Sequence, residues 1–482
     1  MTVLGLRASG RLGISARGRS RAPTFLPTRL PGLAFWYDAS TSGYADGVWH
    51  DVSGQSNHAA QATPSRRPSK IADAAGRNVL RFDGTDDALL VTNPPDLSGG
   101  VTLFAVYRVR TPADFRGIFS VSAATGIDHQ QFFTLQYAQA ANHRIQLFGR
   151  SVQANQVVAQ GVDSTEKQYA IATFDDNAIN VELRDLNGVI GDTSTFAPFG
   201  TPAAMILGAR YQQGAPFSFG AVDLYEIALY NRELSPAERD LIEAYLRQRH
   251  EIVWSPRFIG NDLAWFHDVD VSGFVLDDGL VEQWEDLSSH ARHWVGGSNG
   301  KPLKSTDVQG RDVVRFDGVD DLLMLAGDLP TLQPFSAAVV YRMRERGDFA
   351  GVLTAAPPSG VDHADFWTFR NASAASLQMQ LVGRSNEADP LEISLADSAV
   401  PQVAVWTAAG GTAELRDATG SATDSYGGSF GAPDSIVLGG RYDGAPFGHA
   451  AIDVLATLGA ARTLSTVDQQ RLIAWATAKW SL

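Results

Sequence analysis

Hydrophobic and polar residues follow two patterns along the chain, and both are typical of β-strands. Strict alternation over Ile145–Leu147, Val181–Arg184 and Met379–Leu381 predicts strands with one buried and one solvent-facing side. Nearly unbroken apolar runs over Thr102–Val109 and Ala337–Met343 predict strands that are buried on at least one face. Clusters of Gly, Asp, Asn and Pro separate these segments at the spacing of a β-sandwich. The pattern therefore predicts an all-β protein.

A helical pattern occurs near the end of each half of the chain. Ser235, followed by Pro236 and by Glu238, forms a capping box with proline at the first helical position. Ser465 and Asp468 have the same spacing in the second half. Because helices do not alternate with the predicted strands, a parallel α/β fold is disfavoured. We expect one short helix to close each sandwich.

The two halves of the chain carry the same landmarks in the same order. Leu33–Asp38 returns as Leu263–Asp268, and Arg81–Asp87 (RFDGTDD) returns as Arg315–Asp321 (RFDGVDD). A period of about 230 residues is far longer than a solenoid unit, so each half is predicted to be a complete domain. The predicted fold is two tandem antiparallel β-sandwiches, each closed by a short C-terminal helix, after an extended N-terminal arm.

The predicted organisation has four parts. Trp254, Phe258 and Ile259 make the joint between the halves apolar, so we expect it to pack rather than to act as a flexible spacer. The parts are a basic N-terminal anchoring arm (1–32), a first β-sandwich domain (33–249), a short packed linker (250–261) and a second β-sandwich domain (262–482).

Composition narrows the possible functions. The chain has 482 residues, enough for two full cores, and the absence of Cys excludes disulfides and thiolate chemistry. No apolar run approaches the eighteen or so residues of a membrane span, so membrane insertion is not expected. The formal net charge of −14 argues against binding to nucleic acid, which needs clustered Lys and Arg.

The N-terminal arm differs in charge from the rest of the chain. Residues 1–31 contain no Asp or Glu, and the segment is rich in Gly and Ser and interrupted by Pro. Such a segment is either a solvated tail or an arm that orders on a partner, and we predict an anchoring arm. The predicted docking residues are its six arginines, Arg7, Arg11, Arg17, Arg19, Arg21 and Arg29.

Three features together carry a resemblance to a known superfamily. They are the opening hydrophobic-Trp-x-Asp segment, the central R-F-D-G-x-D-D segment and the terminal helix that begins with L-S-x-x-[ED]. From about Leu33 onward, each domain resembles the concanavalin A-like lectin/glucanase superfamily in its laminin G-like branch. The resemblance implies a jelly roll of two antiparallel sheets, often with carbohydrate or calcium at one rim. It also implies a similarity to modules of phage tail and spike proteins.

The repeated Asp pairs are the candidate metal ligands. They are Asp86 and Asp87 in the first half and Asp320 and Asp321 in the second. Adjacent carboxylates repel unless a cation, an Arg or backbone N–H groups compensate, so Ca²⁺ is one interpretation. The other is a β-turn, in which the side chains cap their own backbone. Both alternatives remain open, and calcium is the one cofactor considered.

Other residues that recur in both halves are candidate glycan ligands. An Asp-His pair followed by aromatic residues can bind hydroxyls or order its own loop, and Arg beside Gly or Tyr can bind anionic glycans or form internal ion pairs. The Asp pairs, the Asp-His pairs, Arg150 and Arg384 are expected to form one rim of loops on each sandwich. The candidate glycan ligands are Asp128, His129, Arg150 and Arg210, with Asp362, His363, Arg384 and Arg441 in the second half.

The sequence does not favour an enzyme. By the resemblance, laminarinase-type relatives use a strand with the pattern E-x-D-x-x-E, whose two glutamates act on the glycosidic bond. The nearest segment here is Asp223–Glu226, but Ala221 stands where the first Glu is required. In the second half Asp453 is followed by Ala456. Hydrolysis by that mechanism is therefore disfavoured.

We predict a non-enzymatic virion protein of a phage or phage-like particle, a tail fibre or head spike, located on the particle surface. Its predicted partners are host surface polysaccharide and, through the arm, other virion proteins. It is expected to act as a homo-oligomer or in multiple copies within a larger assembly. The alternatives are a purely structural capsid or tail decoration protein and a glycan-active hydrolase.

Overall fold

The computed structural model of the chain consists mainly of β-strands, with one α-helix after each of two groups of strands. As far as the described residues extend, none of the helices has the length and apolar character needed to cross a membrane. The structure describes residues 25–482 except 123–131, 140–143, 153–154, 163–164, 176–179, 194–200, 213, 298–299, 330–333, 357–365, 376–377, 385–389, 398–399, 428–432, 434 and 443–444.

The first group of strands precedes helix α1, which covers Pro236–His250. Short 3-10 helices cover Pro27–Arg29 and Pro64–Arg66. The strands are β1 (Leu33–Asp38), β2 (Tyr44–Ala45), β3 (Val48–Trp49), β4 (Ala59–Ala60), β5 (Ser69–Ala72), β6 (Asn78–Asp83), β7 (Leu89–Val91), β8 (Val101–Val109), β9 (Arg116–Ser122), β10 (Phe132–Gln139), β11 (Arg144–Val152), β12 (Asn155–Val162), β13 (Gln168–Phe174), β14 (Asn180–Asp185), β15 (Gly188–Thr193), β16 (Ala204–Leu207), β17 (Arg210–Gln212), β18 (Ala215–Phe217) and β19 (Ala221–Tyr230).

The second group lies between a 3-10 helix at Pro256–Asp262 and helix α2 at Thr466–Trp480. Its strands are β20 (Leu263–Asp268), β21 (Phe274–Asp277), β22 (Leu280–Trp284), β23 (Trp294–Gly296), β24 (Leu303–Thr306), β25 (Asp312–Asp317), β26 (Leu323–Leu325), β27 (Phe335–Met343), β28 (Gly351–Ala356), β29 (Phe366–Asn371), β30 (Gln378–Arg384), β31 (Pro390–Ala396), β32 (Gln402–Ala409), β33 (Thr412–Arg416), β34 (Ser421–Ser425), β35 (Ser435–Leu438), β36 (Arg441–Tyr442), β37 (Pro446–Phe447) and β38 (Ala451–Ala460).

The strands of the first group form two antiparallel sheets that share a core. One sheet has the order β15-β14-β13-β8-β19-β6-β5, with β1 also paired to β19, and the other has the order β12-β11-β10-β9-β16-β7-β4-β3-β2. A single hydrophobic cluster takes Leu103 and Tyr107 from the first sheet and Phe119 and Leu135 from the second. The predicted all-β sandwich is confirmed.

The second group repeats this arrangement strand for strand. One set of pairings follows the order β34-β33-β32-β27-β38-β25-β24 with β20 on β38, and the other follows β31-β30-β29-β28-β35-β26-β23-β22-β21. The second sandwich differs in one respect: Leu280 of β22 pairs with Leu303 of β24, which joins its two sheets. The two halves therefore share one topology.

The apolar run at Thr102–Val109 is explained by the place of β8 in the middle of its sheet. Leu103 and its alternate neighbours face the second sheet. Phe104 and Val106 point the other way and belong to a cluster that includes Ile242 of α1. Because helix α1 covers the outer face, β8 is buried on both sides, which removes the alternation expected of a half-exposed strand.

Helix α1 begins at the predicted capping box. The Ser235 hydroxyl accepts a hydrogen bond from the Glu238 backbone N–H, and the Glu238 carboxylate accepts one from the Ser235 N–H at 2.8 Å. The two bonds satisfy donors that the first helical turn leaves without partners.

The C-terminal part of α1 is held by a buried carboxylate on β19. Glu226 is fully buried and accepts hydrogen bonds from Trp36 Nε1 (2.7 Å) and from the Tyr245 hydroxyl (2.8 Å). The imidazole Nε2 of His250 lies 2.6 Å from Oε2, the other carboxylate oxygen of Glu226. The second sandwich has Ala456 at the matching position: Glu226 pairs with Asp38 at the end of β1, and Ala456 pairs with Asp268 at the end of β20. This polar network is therefore specific to the first sandwich.

The segment between the two sandwiches is packed. Trp254, Phe258 and Ile259 are buried and belong to one hydrophobic cluster with residues from both sandwiches. Across the junction, Arg471 Nη1 of α2 donates a hydrogen bond to the Asn187 carbonyl at 2.6 Å. Apolar packing and this hydrogen bond hold the sandwiches together.

The end of the predicted arm lies on the first sandwich. Pro27 is buried, and its carbonyl accepts a hydrogen bond from the Tyr230 hydroxyl at 2.9 Å. The Pro31 carbonyl accepts one from Arg232 Nε at 2.9 Å. Residues 25–32 are thus part of the folded body. Arg29 is exposed, whereas the arginines outside the described residues are Arg7, Arg11, Arg17, Arg19 and Arg21.

We expect Glu226→Ala to lower the free energy of unfolding of the first sandwich by about 3 to 5 kcal/mol, because it removes one partner from a buried polar network. The control is Glu233→Ala, whose side chain is 44% exposed and pairs with Arg239. It should cost less than about 1 kcal/mol. Urea denaturation followed by circular dichroism measures both. If both variants lose less than about 1 kcal/mol of unfolding free energy, Glu226 does not hold α1 in place.

Candidate functional site

The repeated R-F-D-G segment is anchored by a buried ion pair. Arg81 makes a bidentate contact to Asp223, with Nε–Oδ1 at 2.7 Å and Nη2–Oδ2 at 2.8 Å, and Arg110 Nε lies 3.2 Å from the same carboxylate. The Asp223 side chain is only 1% exposed. In the second sandwich Asp453 pairs in the same way with Arg315 and Arg344. In each sandwich these ion pairs hold the strand, β6 or β25, that leads into the acidic turn at residues 83–87 or 317–321.

The phenylalanine of the segment requires a glycine opposite it. Gly208 has φ of +79°, and a Cβ at this position would lie 2.1 Å from the Phe82 ring. Gly439 has φ of +93° and would meet Phe316 at 2.2 Å. Only glycine combines this backbone conformation with such a close approach.

Asp83 and Asp87 build the turn that follows. The Asp83 carboxylate accepts hydrogen bonds from the backbone N–H groups of Thr85 (2.8 Å) and Asp86 (3.3 Å), and Asp87 accepts one from the Asp83 N–H at 2.9 Å. Burial opposes ionisation of Asp83, but the N–H groups outweigh it and its pKa is lowered. Burial raises the pKa of Asp87, and the charges of Asp83 and Asp86 add to this effect.

The acidic turns can also accommodate a hard cation. Carboxylate oxygens are the ligands that Ca²⁺ prefers, so the residues fit this ion without requiring it, since backbone N–H groups already satisfy part of each cluster. Calcium at Asp86, Asp87, Asp320 and Asp321 stays a prediction. Among the residues that the structure describes, carboxylate oxygens lie within 4.8 Å of one another in two sets of three, namely Asp83, Asp86 and Asp87, and Asp317, Asp320 and Asp321.

Arg210 and Arg441 lie beside these turns and are buried. Each is 6% exposed. The Arg210 guanidinium lies 5.1 Å from the centre of the Phe217 ring, and that of Arg441 lies 4.7 Å from Phe447. These distances are typical of cation–π contacts, so both arginines stabilise the β17–β18 and β36–β37 hairpins. Their assignment as glycan ligands remains a prediction.

An exposed phenylalanine lies close to each of these arginines. Phe115 is 49% exposed with φ of +53°, and Phe349 is 47% exposed with φ of +55°. A bulky residue with positive φ is rare, because its Cβ meets the backbone. Neither residue is among the ligands predicted from the sequence. The repetition of Asp-Phe-x-Gly at 114–117 and 348–351 is the signal that could have found them.

We call this end of each sandwich the phenylalanine end; it contains Phe115 or Phe349 together with the neighbouring arginine and acidic turn. In the second sandwich a Cβ placed on Gly448 would lie 3.2 Å from Arg441 Cδ and 3.4 Å from the Phe349 carbonyl. His449 Nδ1 lies 3.4 Å from the Asp321 carbonyl. The backbone of Phe349 thus lies close to Arg441, and in the first sandwich a Cβ on Gly117, two residues after Phe115, would lie 2.6 Å from the Arg210 backbone N.

Arg150 and Arg384 lie at the opposite end of their sheets. Strand β9 runs from the phenylalanine end to Ser122, and the far end of the sheet is marked by the pairing of Phe132 with Arg150. Arg384 pairs with Phe366 in the same way. The expectation of one rim shared by the Asp pairs and these arginines is therefore wrong. The Asp-His pairs, at Asp128 and His129 and at Asp362 and His363, lie outside the described residues.

A second concave site lies between the two sandwiches. This interdomain cleft has a volume of about 520 Å³, within the usual range of small-molecule sites. Asp185 lies in the wall of this cleft, and burial raises the pKa of its carboxyl group to about 7. The backbone N–H of Asn187 and the charge of Arg471 lower this pKa, but burial has the larger effect. The principal lining residues are Arg184, Asp185, Arg247 and Trp254 from the first sandwich and linker, and Arg471 and Trp475 from α2.

Comparisons with known proteins give weak structural likeness. No family model and no curated protein matches the chain. Among solved structures, Ruminococcus gnavus IT-sialidase CBM40 bound to alpha2,3 sialyllactose is 14% identical and aligns over 37% of this chain and 95% of its own, with a TM-score of 0.27. Mouse laminin alpha1 chain domains LG4-5 are 10% identical over 84% of this chain and 96% of their own, with a TM-score of 0.26.

A toxin domain is also similar. The binding domain of botulinum neurotoxin serotype D/C is 7% identical and aligns over 91% of this chain and 96% of its own, with a TM-score of 0.37. Alignments at this level do not determine what the present chain binds.

We expect Asp185→Asn to change how stability depends on pH. An acid with a folded pKa of about 7 contributes stability that is full below its unfolded pKa of about 3.9 and is lost as the pH rises through 7. The wild type should lose up to about 4 kcal/mol over this window. The variant should lack this loss and be the more stable protein at pH 8.

The control for this experiment is Asp240→Asn, whose side chain is 70% exposed. Chemical denaturation between pH 4 and pH 8 measures all three proteins. If the wild type and Asp185→Asn have parallel pH profiles, the elevated pKa is refuted.

Proposed function

We propose that this protein is a non-enzymatic carbohydrate-binding protein and that each phenylalanine end contacts a sugar ring. The observation that carries the proposal is the exposed ring of Phe115 and of Phe349, each on a backbone with positive φ. Left-handed backbone costs roughly 1–2 kcal/mol for a residue with a side chain. An arrangement that is strained, exposed and present twice is better explained by binding than by folding.

The chemistry of the phenylalanine end suits a saccharide. An aromatic ring complements the apolar face of a sugar, while charged groups beside it hydrogen-bond to the hydroxyls. The Asp86 side chain is 40% exposed and lies 3.9 Å from Arg66, so both groups can reach a ligand. In the second sandwich, the Arg370 guanidinium lies 4.7 Å from the centre of the Phe349 ring. Gln136 has the matching register in the first sandwich, which gives the two ends different polar surroundings.

The carboxylates of the segment Asp223–Glu226 support a role without catalysis. Asp223 is paired with two arginines, and Glu226 is enclosed by Trp36, Tyr245 and His250. A glycosidase needs two carboxyl groups that face the scissile bond. Neither of these groups is accessible to one, because both are almost fully buried.

We further propose that the protein is displayed on a phage or phage-like particle as a tail fibre or head spike. The arm would dock it to other virion proteins, with Arg29 and the five arginines before it as contacts. Two binding ends in each chain, multiplied by several copies, would add avidity to weak single contacts with host polysaccharide.

We expect the double variant Phe115→Gly, Phe349→Gly to lose glycan binding while it stays folded. Glycine removes the ring but accepts positive φ, so the free energy of unfolding should stay within about 1 kcal/mol of the wild type. A glycan array and a host-polysaccharide pull-down, with and without calcium, measure binding.

The matched control is Ala291→Gly, since Ala291 is exposed and also has positive φ (52°). It should bind like the wild type. If neither the wild type nor an arrayed multimer retains a glycan, while removal of the protein lowers particle stability, a structural decoration role replaces the proposed one.

We expect deletion of residues 1–24 to abolish incorporation into the particle and to leave the sandwiches folded. This deletion keeps the contacts of Pro27 and Pro31 with the first sandwich. Particle-associated protein is quantified after purification, and circular dichroism checks the fold. Normal occupancy of the truncated protein would refute an anchoring arm.

A further inference from the structure

The interdomain cleft concentrates positive charge in an acidic protein. Three arginines, Arg184, Arg247 and Arg471, line it together with two carboxylates, Glu243 and Asp185. Glu243 pairs with Arg184 and Arg247. Arg247 lies 3.6 Å from Glu243 and its side chain is 48% exposed. The formal net charge of the whole chain is −14. The cleft therefore has three guanidinium groups for two carboxyl groups, whereas the chain as a whole is acidic.

The walls of the cleft are aromatic. Trp254 is buried, and its indole Nε1 has no hydrogen-bond partner among the described residues. Trp475 is half-buried, and its ring is fixed between Phe266 at 5.7 Å and Trp480 at 5.1 Å. The cleft therefore has one indole ring from the linker and one from α2 in its lining.

We infer that the interdomain cleft binds an acidic saccharide, a sugar that carries a carboxylate. Guanidinium groups bind carboxylates through paired charge-assisted hydrogen bonds, and the indole rings cover the apolar face of a sugar. A neutral sugar would displace water from the half-exposed Arg247 guanidinium without bringing a negative charge to it. This site is separate from the phenylalanine ends and does not depend on them.

The second sandwich offers an internal comparison. A groove of about 580 Å³ lies between α2 and the hairpin after Arg416, at the place where α1 and its hairpin form part of the cleft in the first sandwich. Here Ile473 and Thr477 occupy the positions that correspond to Glu243 and Arg247. Arg416 is the one arginine among the residues that line this described groove, and it pairs with Glu414. The groove therefore lacks the features that suit the cleft to an anion.

Calorimetric titration of the full chain with trigalacturonate, a glucuronate trisaccharide and their carboxyl-reduced forms tests the inference. At least one of the acidic trisaccharides should bind, and its reduced form should bind roughly tenfold more weakly or worse. Arg247→Gln and Trp475→Ala should each weaken the acidic ligand by a similar factor. Arg257→Gln is the matched control, because Arg257 does not line the cleft, is 34% exposed and pairs with Glu166.

The double variant Phe115→Gly, Phe349→Gly should bind the acidic ligand like the wild type. Failure of every acidic trisaccharide to bind overturns the inference, as does equal binding of the reduced forms or undiminished binding by Arg247→Gln. Loss of acidic binding in the phenylalanine double variant would move the site to the phenylalanine ends and would also overturn it.

Discussion

A buried carboxylate held by two arginines sets the geometry of each sandwich. Asp223 lies opposite Arg81 in the pairing of β19 with β6, and its negative charge is matched by Arg81 and Arg110. A charge that is this deeply buried is tolerated only with such partners, so any other register of the two strands would leave it uncompensated. The register fixes where β6 ends, and the acidic turn begins at that point.

Local patterns in the sequence were sufficient for the elements of the fold. The apolar run of β8 and the capping box of α1 each have a local cause, namely burial on both faces and the donors of a first helical turn. The repetition of RFDG in both halves reflects two packing requirements: Phe82 packs against Gly208, and Arg81 pairs with Asp223. These partners lie far away in the sequence, so their pairing could not be read from either segment alone.

The candidate site was predicted less well, and the reasons are geometric. Arg150 is separated from Asp87 by the register of β10 and β11, which adjacent residues do not encode. Phe115 was identified as a candidate ligand by its positive φ. Phe as a residue type does not indicate positive φ, so the sequence did not predict it. The cleft depends on side chains from both halves, for example Arg247 and Trp475, so a comparison of one half with the other does not show it.

The pairing of Leu280 with Leu303 has a consequence for misfolding. Sheet edges with unpaired N–H and C=O groups can recruit strands from other chains. In the second sandwich this pairing covers an edge whose leucines are 39% and 40% exposed. The first sandwich has Ser69 at the register position of Leu303, beside Lys70, so its edge is polar and charged. A local opening that separates β22 from β24 would uncover an apolar strand edge, to which a strand of another chain can add.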